Sequence, residues 1–242
     1  MPRAKQKKRT FRRILKWVCM FLFVFFGLSV LEVTLLRWAN PRFTAMTARQ
    51  WIRHLSGDAE EAPRMDWRPL EAISPHIRRA VLAGEDQRFL SHSGFDFTEI
   101  SEAMKDMASS RGFRGASTIS MQTARTVFLW PDRSLLRKGL EAYYTVLIET
   151  FWGKDRILEI YLNTVDWGKG IMGIEAASQH YFHVSSAHLS RDQAAILAAI
   201  LPSPHRWSPT RPGTQALKRQ ERILRDLNRM PLVTPGNGYS NR

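Results

Sequence analysis

The chain has 242 residues, 44% of them hydrophobic, with 36 Lys and Arg against 22 Asp and Glu and a formal net charge of +14. That length holds one sizeable domain plus an appendage. The single cysteine, Cys19, excludes an internal disulfide, a CxxC redox pair and a cysteine-built zinc site. The net charge would suit nucleic acid, but its placement argues against that partner: residues 1–16 carry eight basic side chains and no acid, which leaves +6 for everything else.

Residues 17–36 follow that basic block as an apolar run whose only charge is Glu32, near its far end. About 20 such residues cross a bilayer core. The basic flank predicts a cytoplasmic N-terminus and a remainder on the other side. A cleaved signal peptide would have an apolar region of about 7–15 residues ending in small residues of Ala-x-Ala type. Here Arg37-Trp38 follows instead, so an uncleaved single-pass anchor is expected, with Cys19 as a small hydrophobe inside it. Residues 37–68 read as a juxtamembrane linker with one short amphipathic helix around Gln50, Trp51, Ile52 and Leu55. Trp17, Trp38 and Trp51 suit either interface anchors or packed aromatics.

Ser74 can cap a helix with Pro75 in its first turn and Ile77, Ala80, Val81 and Gly84 on one face. That helix ends at Glu85-Asp86, so an acidic pair is held at a helix-to-loop corner next to Phe89. A carboxylate against an apolar wall can exchange a proton near neutral pH; a solvated pair at a helix end is the plainer alternative. Asp96 and Glu99 make a capping box for a helix whose buried face would be Ile100, Ala103, Met104 and Met107. A loop with Arg111, Gly112, Arg114 and Gly115 leads to a helix capped by Ser117 and running to about Phe128. Two arginines before a helix N-terminus favour an anion there.

Ser134 caps the next helix, with an expected buried stripe of Leu136, Leu140, Tyr143, Leu147 and Phe151. Arg137 and Glu141 stand four apart on another face, where a surface ion pair would contribute about a few tenths of a kcal/mol. Residues 154–163 are helical again, with Ile157, Leu158, Tyr161 and Leu162 inward, and a glycine-rich turn (Gly168, Gly170, Gly173) precedes a helix to about Phe182. His180 and His183 have helical spacing but no third ligand, so they read as solvated. Ser190 and Gln193 box the next helix, which Pro202 stops. The last helix, from Gln215 to about Met230, is apolar at Leu217, Leu224 and Leu227, with its five Lys and Arg expected on a solvated face. No alternating strand pattern appears, so the domain should be mainly α.

Four ordered motifs stand on these elements: Glu85-Asp86-x-x-Phe89-x-x-His92-x-Gly94-x-Asp96, Gly115-x-Ser117-Thr118-Ile119-x-x-Gln122, Arg137-Lys138-x-x-Glu141, and Lys154-x-x-Ile157-Leu158-Glu159-x-Tyr161-Leu162-Asn163. Together they resemble the signature of the peptidoglycan glycosyltransferases (glycosyltransferase family 51), collinearly from about Ser74 to Pro209. Two departures stand out. Met121 replaces the first of two usual glutamines, and Arg125-Thr126 replaces a usual Lys-Asn pair. Nothing in the sequence suggests a transpeptidase; no Ser-x-x-Lys occurs.

The resemblance implies a lysozyme-like, mainly α glycosyltransferase domain over residues 69–230, with a mobile jaw near the membrane. Before it would come a cytoplasmic tail (1–16), an anchor (17–36) and the linker or jaw (37–68), and after it a disordered tail (231–242). It implies polymerisation of glycan from lipid II at the outer face of a bacterial cytoplasmic (inner) membrane, with inversion and release of polyprenyl pyrophosphate. Glu85 would be the base, and Glu141 a second carboxylate orienting cations and substrate. Arg125, Arg137 and Lys138 would hold the pyrophosphate. Ser117, Thr118 and Gln122 would contact the donor, and Asp86, Phe89 and His92 complete the substrate site. The expected partners are lipid II, the nascent strand, the bilayer and proteins of cell division or wall synthesis. No cofactor or metal site is required, and a divalent cation such as Mg2+ would be an optional assistant. The alternatives are a lytic transglycosylase or muramidase of similar fold, and a catalytically weak anchored partner of the wall-synthesis machinery.

Overall fold

The computed structural model describes residues 2–57, 65–109, 115–132, 134–168 and 170–236. It divides into two units, residues 1–39 and 40–242. The first is a single helix, α1 (Pro2–Leu36). Its stretch Thr10–Leu36 is long and apolar enough to cross a membrane. The helix therefore runs through the basic block as well as the apolar run.

The second unit is helical, and among the described residues its only β pairing is an isolated bridge between Asp166 and Met172. Helix α2 (Ala45–Leu55) is opened by a reciprocal box between Thr44 and Thr47. It is followed by α3 (Pro75–Glu85), α4 (Phe97–Ala108), α5 (Ile119–Phe128), α6 (Leu135–Phe151) and α7 (Lys154–Thr164). Then come α8 (Ile174–Phe182), α9 (Arg191–Ile200) and α10 (Thr214–Asp226). Ser74, Ser134 and Ser190 cap α3, α6 and α9 as expected, the last with its Gln193 box. Helix α5 is instead capped by Thr118, whose hydroxyl accepts from the Met121 amide, so it starts later than the Ser117 expectation.

Two packed groups form the core. Helices α3, α9 and α10 pack mutually, and α5 packs on α6 and α7. In the first group Gly84 faces Ile223: a β-carbon there would lie 3.1 Å from Ile223 Cδ1, so glycine lets α10 close onto the end of α3. In the second, the motif side chains of α7 bind the chain's own backbone. Asn163 accepts from the Arg68 amide and donates to its carbonyl, both at 2.8 Å, and Glu159 accepts from the Leu70 amide at 3.1 Å. These bonds make the segment around residue 68 part of the domain rather than a free linker. Glu175 on α8 accepts from Arg68, Gln179 and the amide and hydroxyl of Ser186. Burial alone would raise its pKa, but those hydrogen bonds win and hold it at about 2.

Three apolar faces differ from expectation. On α4, Phe97, Met104 and Met107 are 76%, 62% and 58% exposed, so the expected face is not buried. On α6 the buried residues are Glu141, Tyr144, Thr145 and Ile148, while Leu136 is exposed. The inward face of α6 is thus mixed, with Glu141 and Thr145 beside Tyr144 and Ile148. Along α10 and the turn after it the seam is Ala216, Ile223 and Leu227, so Leu227 is buried as expected but Leu217 and Leu224 are not. Residues 231–236, expected in a disordered tail, are tied down: the Val233 carbonyl accepts from Arg78 and the Gly236 amide donates to Asp155. The rest of that tail and Arg111 to Arg114 lie outside the described residues.

Candidate active site

Helix α3 ends where its last carboxylate emerges into a cleft of about 650 Å3, lined among others by Glu85, Arg88, Ser117, Gln122, Arg219 and Arg222. Glu85 is gripped from two sides. Its Oε1 accepts from Arg219 Nη2 at 2.6 Å, and its Oε2 accepts from Gln122 Nε2 at 2.9 Å. Behind Gln122, the Tyr161 hydroxyl donates to its Oε1 at 3.3 Å. The carboxylate therefore faces a cation and an amide rather than the apolar wall the sequence suggested.

Asp86, His92 and Phe89 lie behind Glu85 and shape the corner. Asp86 is buried, accepts from the Ile119 amide at 3.0 Å and pairs with His92 Nε2 at 2.9 Å, so it joins the end of α3 to the start of α5. Phe89 is fully buried beneath the Lys154 ammonium, 4.5 Å from its ring centroid. Lys154 bonds Glu149 at 2.7 Å, and Glu149 also accepts from Ser120. Burial pulls the Lys154 ammonium below the usual lysine range, with Glu149 opposing. Gly94 has φ +91, and a β-carbon would meet Thr145 Cγ2 at 2.7 Å. Glycine is needed there by both conformation and space. The Gly94 carbonyl accepts from the buried Thr118 hydroxyl at 2.6 Å. Thr118 thus spends its hydroxyl proton as a structural clasp, although both it and the less buried Ser117 line the cleft.

Asp86, His92 and Asp96 offer ligand atoms within 4.8 Å of one another. Their donor chemistry fits a cation poorly. Asp96 is already held through both oxygens by Arg88 and also accepts from the Glu99 amide. A metal would have to displace the guanidinium and compete with the Ile119 amide on Asp86.

Arg125, Arg137 and Lys138 are not among the residues that line this cleft. Glu141 is buried and accepts from Arg137 Nη1 at 2.6 Å and from Lys138. This is not the surface pair that spacing alone would give, since Arg137 is only 11% exposed. Two cations on one carboxylate leave one net positive charge at the head of α6. Arg125 stands one turn beyond Gln122 on α5, and among the described residues its side chain has no hydrogen bond or ion pair. Its charge acts on Tyr161, whose hydroxyl burial raises well above the usual tyrosine range. Met121 and Thr126, the two departures, are both buried, and Thr126 bonds the Gln122 carbonyl at 2.9 Å.

The profile of the Transglycosylase family matches residues 51–228. The chain belongs to that family. It is 47% identical to the biosynthetic peptidoglycan transglycosylase of Chromohalobacter salexigens over 236 residues, 96% of this chain and 97% of that one. It is likewise 47% identical to the Caulobacter vibrioides protein of the same name, over 89% of this chain and 92% of that one. A Bacteroides thetaiotaomicron protein of that name is 42% identical over 93% of this chain and 90% of its own.

One residue of the candidate site, Arg219, carries no motif signal in the sequence. Arg219 lies 134 positions from Glu85 and was counted among solvated charges of the last helix. A signal existed: Arg219 falls three residues after Ala216 and four before Ile223, on the seam that faces α3. His180 and His183 are exposed, as expected for solvated histidines.

Proposed function

We propose that this transglycosylase polymerises peptidoglycan glycan strands from lipid II. Glu85 takes the proton of the acceptor sugar's 4-hydroxyl as that oxygen bonds to the anomeric carbon of the lipid-linked donor strand. The bond from that carbon to phosphate breaks, the configuration inverts, and polyprenyl pyrophosphate leaves. A base fixed at both carboxylate oxygens on a cleft wall supports the first step. Arg125, Arg137 and Lys138 are assigned to the departing pyrophosphate, where placed cations stabilise developing charge. Glu141 keeps the latter two in place rather than transferring a proton. The chemistry needs no cofactor; Mg2+ would enter only as a counter-ion of the pyrophosphate.

The apolar helix α1 and its basic start support a single-pass anchor in the cytoplasmic membrane, N-terminus inside, with residues 40–242 acting at the outer surface. The observation that carries the functional reading is the Glu85 carboxylate, presented to the cleft between Arg219 and Gln122. Purified full-length protein given lipid II should release polyprenyl pyrophosphate and form linear glycan. Cleavage of preformed murein without use of lipid II would instead make it a lytic enzyme.

A further inference from the structure

Gln122 has an amide whose two ends do different things, and one side chain decides which end faces the base. Its nitrogen donates to Glu85 Oε2 at 2.9 Å and its oxygen accepts from the Tyr161 hydroxyl at 3.3 Å. Turned by 180°, the amide would set its oxygen against the Glu85 carboxylate, acceptor facing acceptor. Tyr161 is 1% exposed, so its hydroxyl has no water to satisfy it and is held to the Gln122 oxygen. The other oxygen of Glu85 is fixed independently by Arg219, itself seated on the Gly84 carbonyl.

We propose that Tyr161 is a positioning residue for Glu85, acting through Gln122: its hydroxyl fixes the amide so that the nitrogen, not the oxygen, meets the base. Gln122 then serves the acceptor side of the reaction by aiming the base, in addition to any contact it makes with the donor. A phenol suits this task. Its burial and the nearby Glu85 charge raise it well above the usual tyrosine range, so it remains a proton donor across the pH range of activity. Phenylalanine would fill the same space without the proton.

This inference rests on Glu85 being the base, and the test separates the two. Lipid II turnover by full-length protein is measured for Tyr161→Phe, Gln122→Ala, the pair together and Glu85→Gln, with Tm for each. Tyr161→Phe should lower kcat by roughly tenfold with KM within about twofold, the scale of a misaligned reacting group. In the Gln122→Ala background the same change should alter kcat less than about twofold, because the residue through which it acts is gone. An unchanged kcat in Tyr161→Phe, or an equal fold loss in both backgrounds, overturns the proposal. Full turnover by Glu85→Gln would overturn the base assignment instead. Should Tyr161→Phe not fold, Gln122→Glu carries the test: it keeps an acceptor for Tyr161 but sets a second carboxylate on Glu85. Normal kcat in that variant would overturn the proposal equally.

Discussion

Arg219 on α10 reaches Glu85 at the end of α3 with a 2.6 Å ion pair, and the two side chains are 19% and 10% exposed. The closure of α10 onto α3 at Gly84 and Ile223 thereby sets the position of the carboxylate assigned as base. Arg219→Ala should lower kcat by about 10- to 100-fold, the scale of a misplaced catalytic group. Arg219→Lys should recover part of that, since a point charge can hold one oxygen but not reproduce the planar fork. Turnover with Tm for both variants checks this; wild-type kcat in Arg219→Ala would show that the pair only packs the helices.

The proposed pyrophosphate clamp is tested at Arg125, which has no hydrogen-bond or ion-pair partner among the described residues. Arg125→Lys should retain substantial activity, whereas Arg125→Ala should lose about 2–4 kcal/mol of transition-state stabilisation. Arg137→Ala should behave similarly, and the double variant should be far less than additive if both grip one phosphate unit. Near-normal lipid II turnover in both alanine variants would remove the clamp.

Glu175 makes a prediction about stability that is independent of catalysis. Its carboxyl is held at about 2 against an ordinary 4.5, by hydrogen bonds from Ser186, Gln179 and Arg68 that outweigh its burial. A depressed folded-state value stabilises the fold above the unfolded value, and that stabilisation is lost as pH falls from about 4.5 to about 2. The shift corresponds to about 3 kcal/mol. Urea denaturation between pH 5 and 2 should therefore show a steeper loss for the native chain than for Glu175→Gln, and parallel curves would contradict the assignment.

Topology follows from the eight basic residues ahead of the apolar run. A reporter fused after Arg242 should be active only outside the cytoplasm. Activity confined to the cytoplasm would reverse the orientation.

Much of the local structure was legible because local chemistry decides it. Ser74, Ser134 and Ser190 cap their helices as side-chain acceptors within three residues, and Ile157, Leu158, Tyr161 and Leu162 line the inner face of α7. The faces of α4 and α6 differ from expectation because apolar residues there do not all mark the inside, whereas the α10 seam is apolar but falls one position earlier, at Ala216 and Ile223. Leu135, Leu136 and Val146 of α6 are exposed, while Glu141 and Thr145 face inward. A buried carboxylate shares that face with Tyr144 and Ile148, which shifts the buried stripe away from the leucines. Arg219 was hidden differently, among the four Lys and Arg of α10, with its partner far away in sequence. The first and second motifs pointed to candidate residues, but not to Asp86 tying α3 to α5 or to Thr118 being committed to Gly94.

Glu85 as the proposed base of a glycan-polymerising reaction is tested most directly by Glu85→Gln. The substitution keeps size and hydrogen bonding near Arg219 and Gln122 but removes basicity. Lipid II turnover by the full-length protein should fall by about 100-fold or more with Tm little changed. A folded Glu85→Gln protein that polymerises lipid II at the native rate would contradict the account.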